Sequence, residues 1–229
     1  MRLSLSRVTS FFFGGSCFLC RGAARAVICA DCDAELPRLT QPLCPRCALA
    51  SPRGETCGRC LAEPPPYDAT VAALAYEFPA DVMIHALKFR GELALAAFTG
   101  KLLLEKISSD IDCVVPVPLS AERLRERGYN QSVEIARALG RPVELELCTR
   151  QRNTAQQTDL PWSERQRNVH GAFACRRRLE GKSVAVVDDV MTTGATLGEI
   201  AATLKAAGAA RVVNWVVART FPENAPPDA

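Results

Sequence analysis

Val184-Ala185-Val186-Val187-Asp188-Asp189-Val190-Met191-Thr192-Thr193-Gly194-Ala195-Thr196-Leu197 decides how this chain is read. Four apolar residues run into two acids. A short loop with threonines and a glycine follows, and Leu197, Ile200, Ala201 and Leu204 then recur at the spacing of one helix face. The pattern predicts a buried strand over 183–187 and a helix over 196–207, with Gly208 as its C-terminal cap. Ligands of open α/β sheets gather at the carboxyl ends of strands, and this strand end carries Asp188 and Asp189. The loop adds hydroxyls and backbone N–H groups at a helix N-terminus, where orphan donors and the helix dipole favour an anion. Gly194 lets the backbone approach that anion closely. Phosphate in the loop and hydroxyls on the paired carboxylates describe a phosphorylated sugar. The plainer reading is a helix cap beside exposed acids, but a cap has no need of adjacent acids at a strand end. A P-loop is excluded, because no Gly-x-x-x-x-Gly-Lys-[Ser/Thr] string occurs.

Outward from this segment, strands are expected over 69–76, 113–118, 143–148 and 211–217, and helices over 79–89, 92–106 and 121–139. Segment 149–168 is polar, rich in arginine and glutamine, and without period. Strands joined by helical crossovers imply an α/β fold: a mostly parallel sheet flanked by helices on both faces. The length of 229 residues suits such a domain plus something smaller, and 48% hydrophobic with 23% charged residues is ordinary globular composition. A formal net charge of +3 is too small to imply nucleic-acid binding by itself.

Eight of the eleven cysteines form four Cys-x-x-Cys pairs: Cys17/Cys20, Cys29/Cys32, Cys44/Cys47 and Cys57/Cys60. Each pair suits a zinc knuckle, two pairs complete a four-thiolate site, and eight ligands hold up to two structural ions. The spacers of 8, 11 and 9 residues are shorter than the usual zinc-ribbon spacing of about 15–20. Sequential pairing is preferred, with crossed pairing left open. A thioredoxin-like redox role is disfavoured, because the pairs cluster without a strand–helix setting. Cys113, Cys148 and Cys175 are single and read as inert; His85 reads as helix packing, and His170 is given no role. Phe11–Phe13 is too short for a secretory core, and no stretch is long enough to span a bilayer. A cytoplasmic protein without membrane insertion is expected. Composition changes near Pro64-Pro65-Pro66, which divides a cysteine-rich module (1–63) from an α/β domain (64–220), with a disordered tail at 221–229.

The Val184–Leu197 string resembles the signature by which type I phosphoribosyltransferases bind phosphoribosyl pyrophosphate (PRPP). The resemblance implies that Asp188 and Asp189 hold the ribose hydroxyls. It gives Met191, Thr192, Thr193, Gly194, Ala195 and Thr196 to the 5′-phosphate, with Val190 in the same PRPP-binding stretch. Further strings are similar to one family in particular, the competence-associated ComF proteins. They are Leu87-Lys88-Phe89-Arg90-Gly91, the Pro116-Val117-Pro118 turn, Arg127-Gly128-Tyr129-Asn130-Gln131, and Arg150 with Thr154, Gln157 and Leu160. Arg165 with Asn168, Val169, Ala172 and Phe173, and the cysteine pairs, complete the likeness. It implies that Pro116, Val117, Arg123, Arg127, Asn130, Gln131, Lys88, Arg150 and Arg165 serve pyrophosphate or a hood over 149–167. A solvated basic surface is the alternative for the arginines, and a helix-end lysine for Lys88. Magnesium is expected with PRPP, held mostly by substrate and water.

Two functions then compete. One is a phosphoribosyltransferase that displaces pyrophosphate from C1 of PRPP with a nucleophile, its acceptor unnamed by any residue. The other is a non-catalytic zinc protein of the same fold that grips single-stranded DNA or a partner of the DNA-uptake machinery. Arginines cluster in both halves of the chain, while aromatics for base stacking are few: Phe18, Tyr129 and Trp162.

Overall fold

A computed structural model describes residues 15–107, 110–152 and 169–221. The expectations for Phe11–Phe13, for most of the hood, including Arg165 and Trp162, and for the tail after Phe221 fall outside these residues. Two compact units emerge, Met1–Leu36 and Pro37–Ala229.

In the first unit β1 (Gly15–Ser16) pairs antiparallel with β2 (Ala23–Ala24), and α1 (Ala30–Ala34) follows the second cysteine pair's first member. The second unit opens with a similar knuckle closed by the Leu43–Ala50 bridge, and α2 spans Gly58–Ala62. Then come β3 (Ala69–Ala75), α3 (Ala80–Phe89), α4 (Ala94–Leu104), β4 (Cys113–Pro116), α5 (Ala121–Arg127) and α6 (Gln131–Ala138). A small antiparallel pair, β5 (Cys148–Arg150) with β6 (Phe173–Cys175), precedes β7 (Ser183–Met191), α7 (Ala195–Ala206) and β8 (Arg211–Arg219).

The main sheet runs β3-β8-β7-β4, all parallel. Its central strands are largely apolar because both faces are covered: Val184–Val187 on β7 and Val212–Val213 with Trp215–Ala218 on β8 are buried, with only the buried Asn214 interrupting the β8 run. Burial of each such side chain contributes about 1.5–3 kcal/mol. On α7, Leu197, Ile200, Ala201 and Leu204 form the buried face that the sequence periodicity predicts.

Four differences from the sequence reading have physical causes. The 121–139 helix is two helices. Gly128 takes a left-handed conformation (φ 80°) and ends α5, and the Asn130 side chain accepts from the Ser132 N–H and starts α6. The strand expected to stop at Val187 continues through both acids to Met191, because β8 extends to Arg219 and offers pairing partners all the way. Over 143–148 only a bridge between Val114 and Val143 forms, and the strand begins at Cys148, where β6 supplies a partner unforeseen in the sequence. Finally, compactness divides the chain at Leu36/Pro37, whereas residue type changes near 64. Cys44, Cys47, Cys57, Cys60 and Tyr67 lie in one buried cluster with Val115, Val184, Met191 and Leu197.

Candidate functional site

β7 carries Asp188 and Asp189 to the carboxyl edge of the sheet, where side chains alternate faces. Asp188 Oδ1 accepts from Ser132 Oγ of α6 at 3.0 Å and from the Asp189 N–H at 3.0 Å. Asp189 Oδ1 meets Lys88 Nζ of α3 at 3.1 Å. Asp189 is 3% exposed, and its Oδ2 has no hydrogen-bond partner among the described residues. Burial, with the neighbouring Asp189 charge, pushes the Asp188 carboxyl up to about 7, against the pull of Lys88, Ser132 and the Asp189 N–H. Burial opposes the Lys88 charge, but the two carboxylates hold its pKa above the usual lysine value. Lys88 is therefore a fixed cation under the acid pair.

Beyond the acids the chain turns at Thr192–Gly194 into α7. Thr193 Oγ1 accepts from the Ala195 N–H at 3.1 Å, and Gly194 has φ 84°. A cavity of about 370 Å³ opens on this turn and is lined by all of Asp188–Leu197. Basic residues also line it: Arg123 and Arg127 from α5, Arg150 from β5, and Lys88 from α3 beside Asp189. Arg127 Nη1 donates to Gln131 Oε1 at 2.5 Å, and its guanidinium lies 5.0 Å above the Phe89 ring. Burial, then the Arg123 charge, lowers Arg150 to about 10, so the cations are crowded toward the same space. Two adjacent acids at a strand end, a turn at a helix N-terminus and several guanidinium groups around one cavity suit a ligand that carries both hydroxyls and phosphates.

Each unit also holds a thiolate cluster. Cys17, Cys20, Cys29 and Cys32 form one, and Cys44, Cys47, Cys57 and Cys60 the other, with all sulfurs of a set within 4.8 Å of one another. The pairs thus join in sequence order, and the crossed arrangement is ruled out. Cys20 and Cys29 sulfurs are 3.8 Å apart, and those of Cys47 and Cys57 are 3.7 Å apart. Tetrahedral zinc with Zn–S bonds of about 2.3 Å requires about 3.8 Å between sulfurs; a disulfide requires about 2 Å. The clusters repeat one design. Arg21 and Ala48 take positive φ (63° and 54°) four residues after Cys17 and Cys44. The Cys29 N–H donates to Cys17 Sγ, and the Cys57 N–H to Cys44 Sγ, each at 3.3 Å. Burial opposes thiolate formation at both sulfurs, but backbone N–H donors outweigh it and bring Cys17 to about 6 and Cys44 to about 7. The donor sets fit zinc.

Comparison with known proteins agrees. The Double zinc ribbon domain family model matches residues 8–61, and the Phosphoribosyl transferase domain model matches residues 124–227. The DNA utilization protein YhgH of Salmonella typhimurium is 37% identical over 223 residues, covering 90% of this chain and 98% of that protein. Competence protein F of Haemophilus influenzae is 28% identical over 227 residues, covering 91% and 98%. The chain belongs to the ComF family. Among solved structures, the allosteric regulatory enzyme of purine biosynthesis overlaps 53% of the chain and 25% of its own, with 28% identity and a TM-score of 0.37.

In this ComF-family chain the cavity brings together Asp188–Thr196, Val117, Lys88, Arg123, Arg127, Gln131 and Arg150. Pro116 and Asn130 do not line it. Pro116 is buried at the end of β4, and Asn130 caps α6 while its Nδ2 donates to Val117 O at 2.9 Å. Arg165 lies outside the described residues. His85, read as helix packing, is exposed at the cavity with its ring 4.8 Å from that of Phe89. His170 Nδ1 is 3.5 Å from a Glu199 carboxylate oxygen. Cys148 is buried, and burial raises it to about 12, as a core thiol. Sequence reasoning missed Ser132, Tyr67 and Arg219. Ser132 sits two residues after the Asn130 cap, which places it in a first helical turn, but nothing local announces that the turn faces Asp188.

Gly194 yields a first prediction. A Cβ there would sit 2.7 Å from Met191 Cε and 2.9 Å from Tyr67 Oη, in a backbone conformation that side chains disfavour. Strain of about 1–3 kcal/mol is expected from such a residue. Gly194→Ala should therefore lower the melting temperature by about 2–4 °C per kcal/mol of that strain, as thermal unfolding reads.

Proposed function

We propose that this chain binds PRPP as its magnesium complex and serves the handling of DNA taken up by the cell, on the cytoplasmic side. One observation supports the ligand: Asp189, whose buried Oδ2 has no hydrogen-bond partner among the described residues, lines the same cavity as the turn at a helix N-terminus and three arginines. The second acid has one oxygen engaged by Ser132, and Lys88 engages the first, so the acids are set to accept ribose hydroxyls. The Met191–Thr196 turn receives the 5′-phosphate. Arg123, Arg127 and Arg150 face the pyrophosphate, where planar guanidinium groups give paired hydrogen bonds. Magnesium, when bound with the ligand, neutralises pyrophosphate charge through substrate oxygens and water. Reaction would form a bond from C1 to the nucleophile and break the C1–O bond, with pyrophosphate leaving. The protein's part is to position the ring and stabilise the departing charge.

The DNA connection rests on the relatives' names, DNA utilization protein and Competence protein F. Those names favour a second reading, in which the chain holds PRPP without turnover and grips single-stranded DNA or a DNA-uptake partner. Titration of the zinc-loaded protein with PRPP and Mg²⁺, followed by assay of pyrophosphate release with nucleobases and with DNA, separates the two. Binding with release establishes the transferase. Binding without release for any acceptor, with salt-sensitive DNA affinity, establishes the second reading. No PRPP binding overturns both.

The raised Asp188 pKa adds a pH signature. Ribose hydroxyls donate best to the ionised carboxylate, so PRPP affinity should climb between about pH 6 and pH 8, through the Asp188 value of about 7. The same shift costs stability. The folded-state pKa lies above the usual aspartate value of about 3.9, so its contribution falls as pH rises between the two values. Asp188→Asn should therefore melt higher than the parent at pH 8, by about 2–4 °C per kcal/mol recovered. It should also lack the step in PRPP affinity. Parallel melting and calorimetry series check both.

A further inference from the structure

The turn that receives the phosphate is held from behind by the second metal cluster. Met191 O accepts from Arg219 Nη1 at 2.9 Å, Thr192 O accepts from the same nitrogen, and Thr193 O accepts from Arg59 Nη2 at 3.3 Å. In a planar trans peptide the C=O and the following N–H point in opposite directions. Tying back three successive carbonyls therefore turns the N–H groups of Thr192, Thr193 and Gly194 to the other side of the turn.

The residues that tie them belong to the thiolate cluster or rest on it. Arg219, at the end of β8, is completely buried, and its Nε donates to the carbonyl of Cys47 at 2.9 Å. Arg59 lies between Cys57 and Cys60 in their Cys-x-x-Cys pair. Arg46, between Cys44 and Cys47, donates to Tyr67 O at 3.1 Å, and the Tyr67 hydroxyl stands where a Gly194 Cβ would be. A fully buried guanidinium keeps its place only while its acceptors keep theirs, and the Cys47 carbonyl is fixed by the knuckle around its own sulfur.

We propose that the metal held by Cys44, Cys47, Cys57 and Cys60 sets the affinity of the Met191–Thr196 turn for phosphate, with Arg219 and Arg59 as the positioning residues that transmit it. This rests on the reading of the turn as a phosphoribosyl site. Loss of the metal releases the Cys47 carbonyl and Arg59, and the Thr192 and Thr193 carbonyls lose their restraint, while Met191 O keeps the Thr220 N–H at 3.1 Å. Thermodynamic linkage makes the effect reciprocal, so a ligand on the turn holds the metal more tightly.

The test is zinc release from the full-length protein to a chromogenic chelator, with and without saturating PRPP and Mg²⁺. PRPP should slow release of one zinc ion about tenfold, within the usual span of coupling, and leave the other unchanged. Cys20→Ser, which lacks a ligand of the first cluster, identifies the protected ion: its remaining zinc should be the slowed one. Arg59→Ala is the informative variant, since removal of the buried Arg219 risks unfolding. It should keep both ions and melt within about 2 °C of the parent. It should bind PRPP about fivefold more weakly and lose part of the protection of zinc, a pairing that a merely structural role does not produce. Calorimetric PRPP binding with unchanged release of both ions, and Arg59→Ala indistinguishable from the parent, would overturn the coupling alone. Absence of PRPP binding by the protein with two zinc ions would overturn the underlying site assignment and the coupling with it.

Discussion

Replacing Asp188 and Asp189 together with alanine is expected to lower PRPP affinity at least a hundredfold, on the order of 3 kcal/mol, while both zinc ions stay bound. A hydrogen bond to a charged group contributes about 1.5–3 kcal/mol, and each carboxylate stands to accept at least one from the ribose. The double change also strips Lys88 of its partner. Its Nζ now lies 3.1 Å from Asp189 Oδ1 in a side chain only 22% exposed, so a half-buried ammonium is left without its counter-charge. A lower melting temperature should therefore accompany the lost affinity. Asp188→Asn/Asp189→Asn, which keeps the shape, should show the affinity loss with less destabilisation. Calorimetry with PRPP and Mg²⁺ reads the first effect and thermal unfolding the second. Unchanged affinity in both variants would remove the acids from the ligand site.

Cys44→Ser carries the largest expected effect on stability. The variant should lose one zinc ion and depress the main unfolding transition by more than about 10 °C. Structural zinc contributes about 10–16 kcal/mol in small zinc domains, and a chain of this size shifts by about 2–4 °C per kcal/mol. The effect is not confined to the cysteine segment. Cys44, Cys47, Cys57 and Cys60 share a buried cluster with Val115, Val184, Met191 and Leu197 of the sheet and of α7. Cys17→Ser is the contrast. It should also lose one ion, but its cluster lies in the separate Met1–Leu36 unit, so the main transition should move little. Zinc content by atomic emission and melting curves decide the matter. Full zinc content in Cys44→Ser, or a main transition that does not move, would count against the assignment.

That Asp188–Thr196 would line one cavity was legible in a single segment because the pattern is local. A strand end, two acids and a helix start follow one another directly in the chain, so Asp188–Thr196 needed no tertiary contact to be recognised. Arg123, Arg127 and Gln131 were found by the spacing of a motif, yet their helix was misread as continuous. Helical period is blind to one left-handed residue, and Gly128 with the Asn130 cap breaks the run. Asn130 shows the opposite case. It belongs to the motif and looks like a ligand group, but it does not line the cavity, and its amide holds the Ser132 N–H and Val117 O. The partners of the acids come from far away in sequence, Lys88 about 100 residues before them and Ser132 about 56, and no local pattern encodes such a meeting.

By itself the sequence determined the α/β class and the presence of the four-thiolate clusters, and it placed two acids and a threonine-rich turn at a strand end, because each is written as a short-range pattern of residue type and spacing. Only the tertiary structure decided that the clusters close in sequence order, that Lys88 rather than solvent balances Asp189, and that the second cluster packs into the same body as the phosphate turn through Arg219. Those are contacts between distant parts of the chain. They are fixed by which buried groups must find partners once the sheet has formed, and that requirement does not exist until folding removes the water.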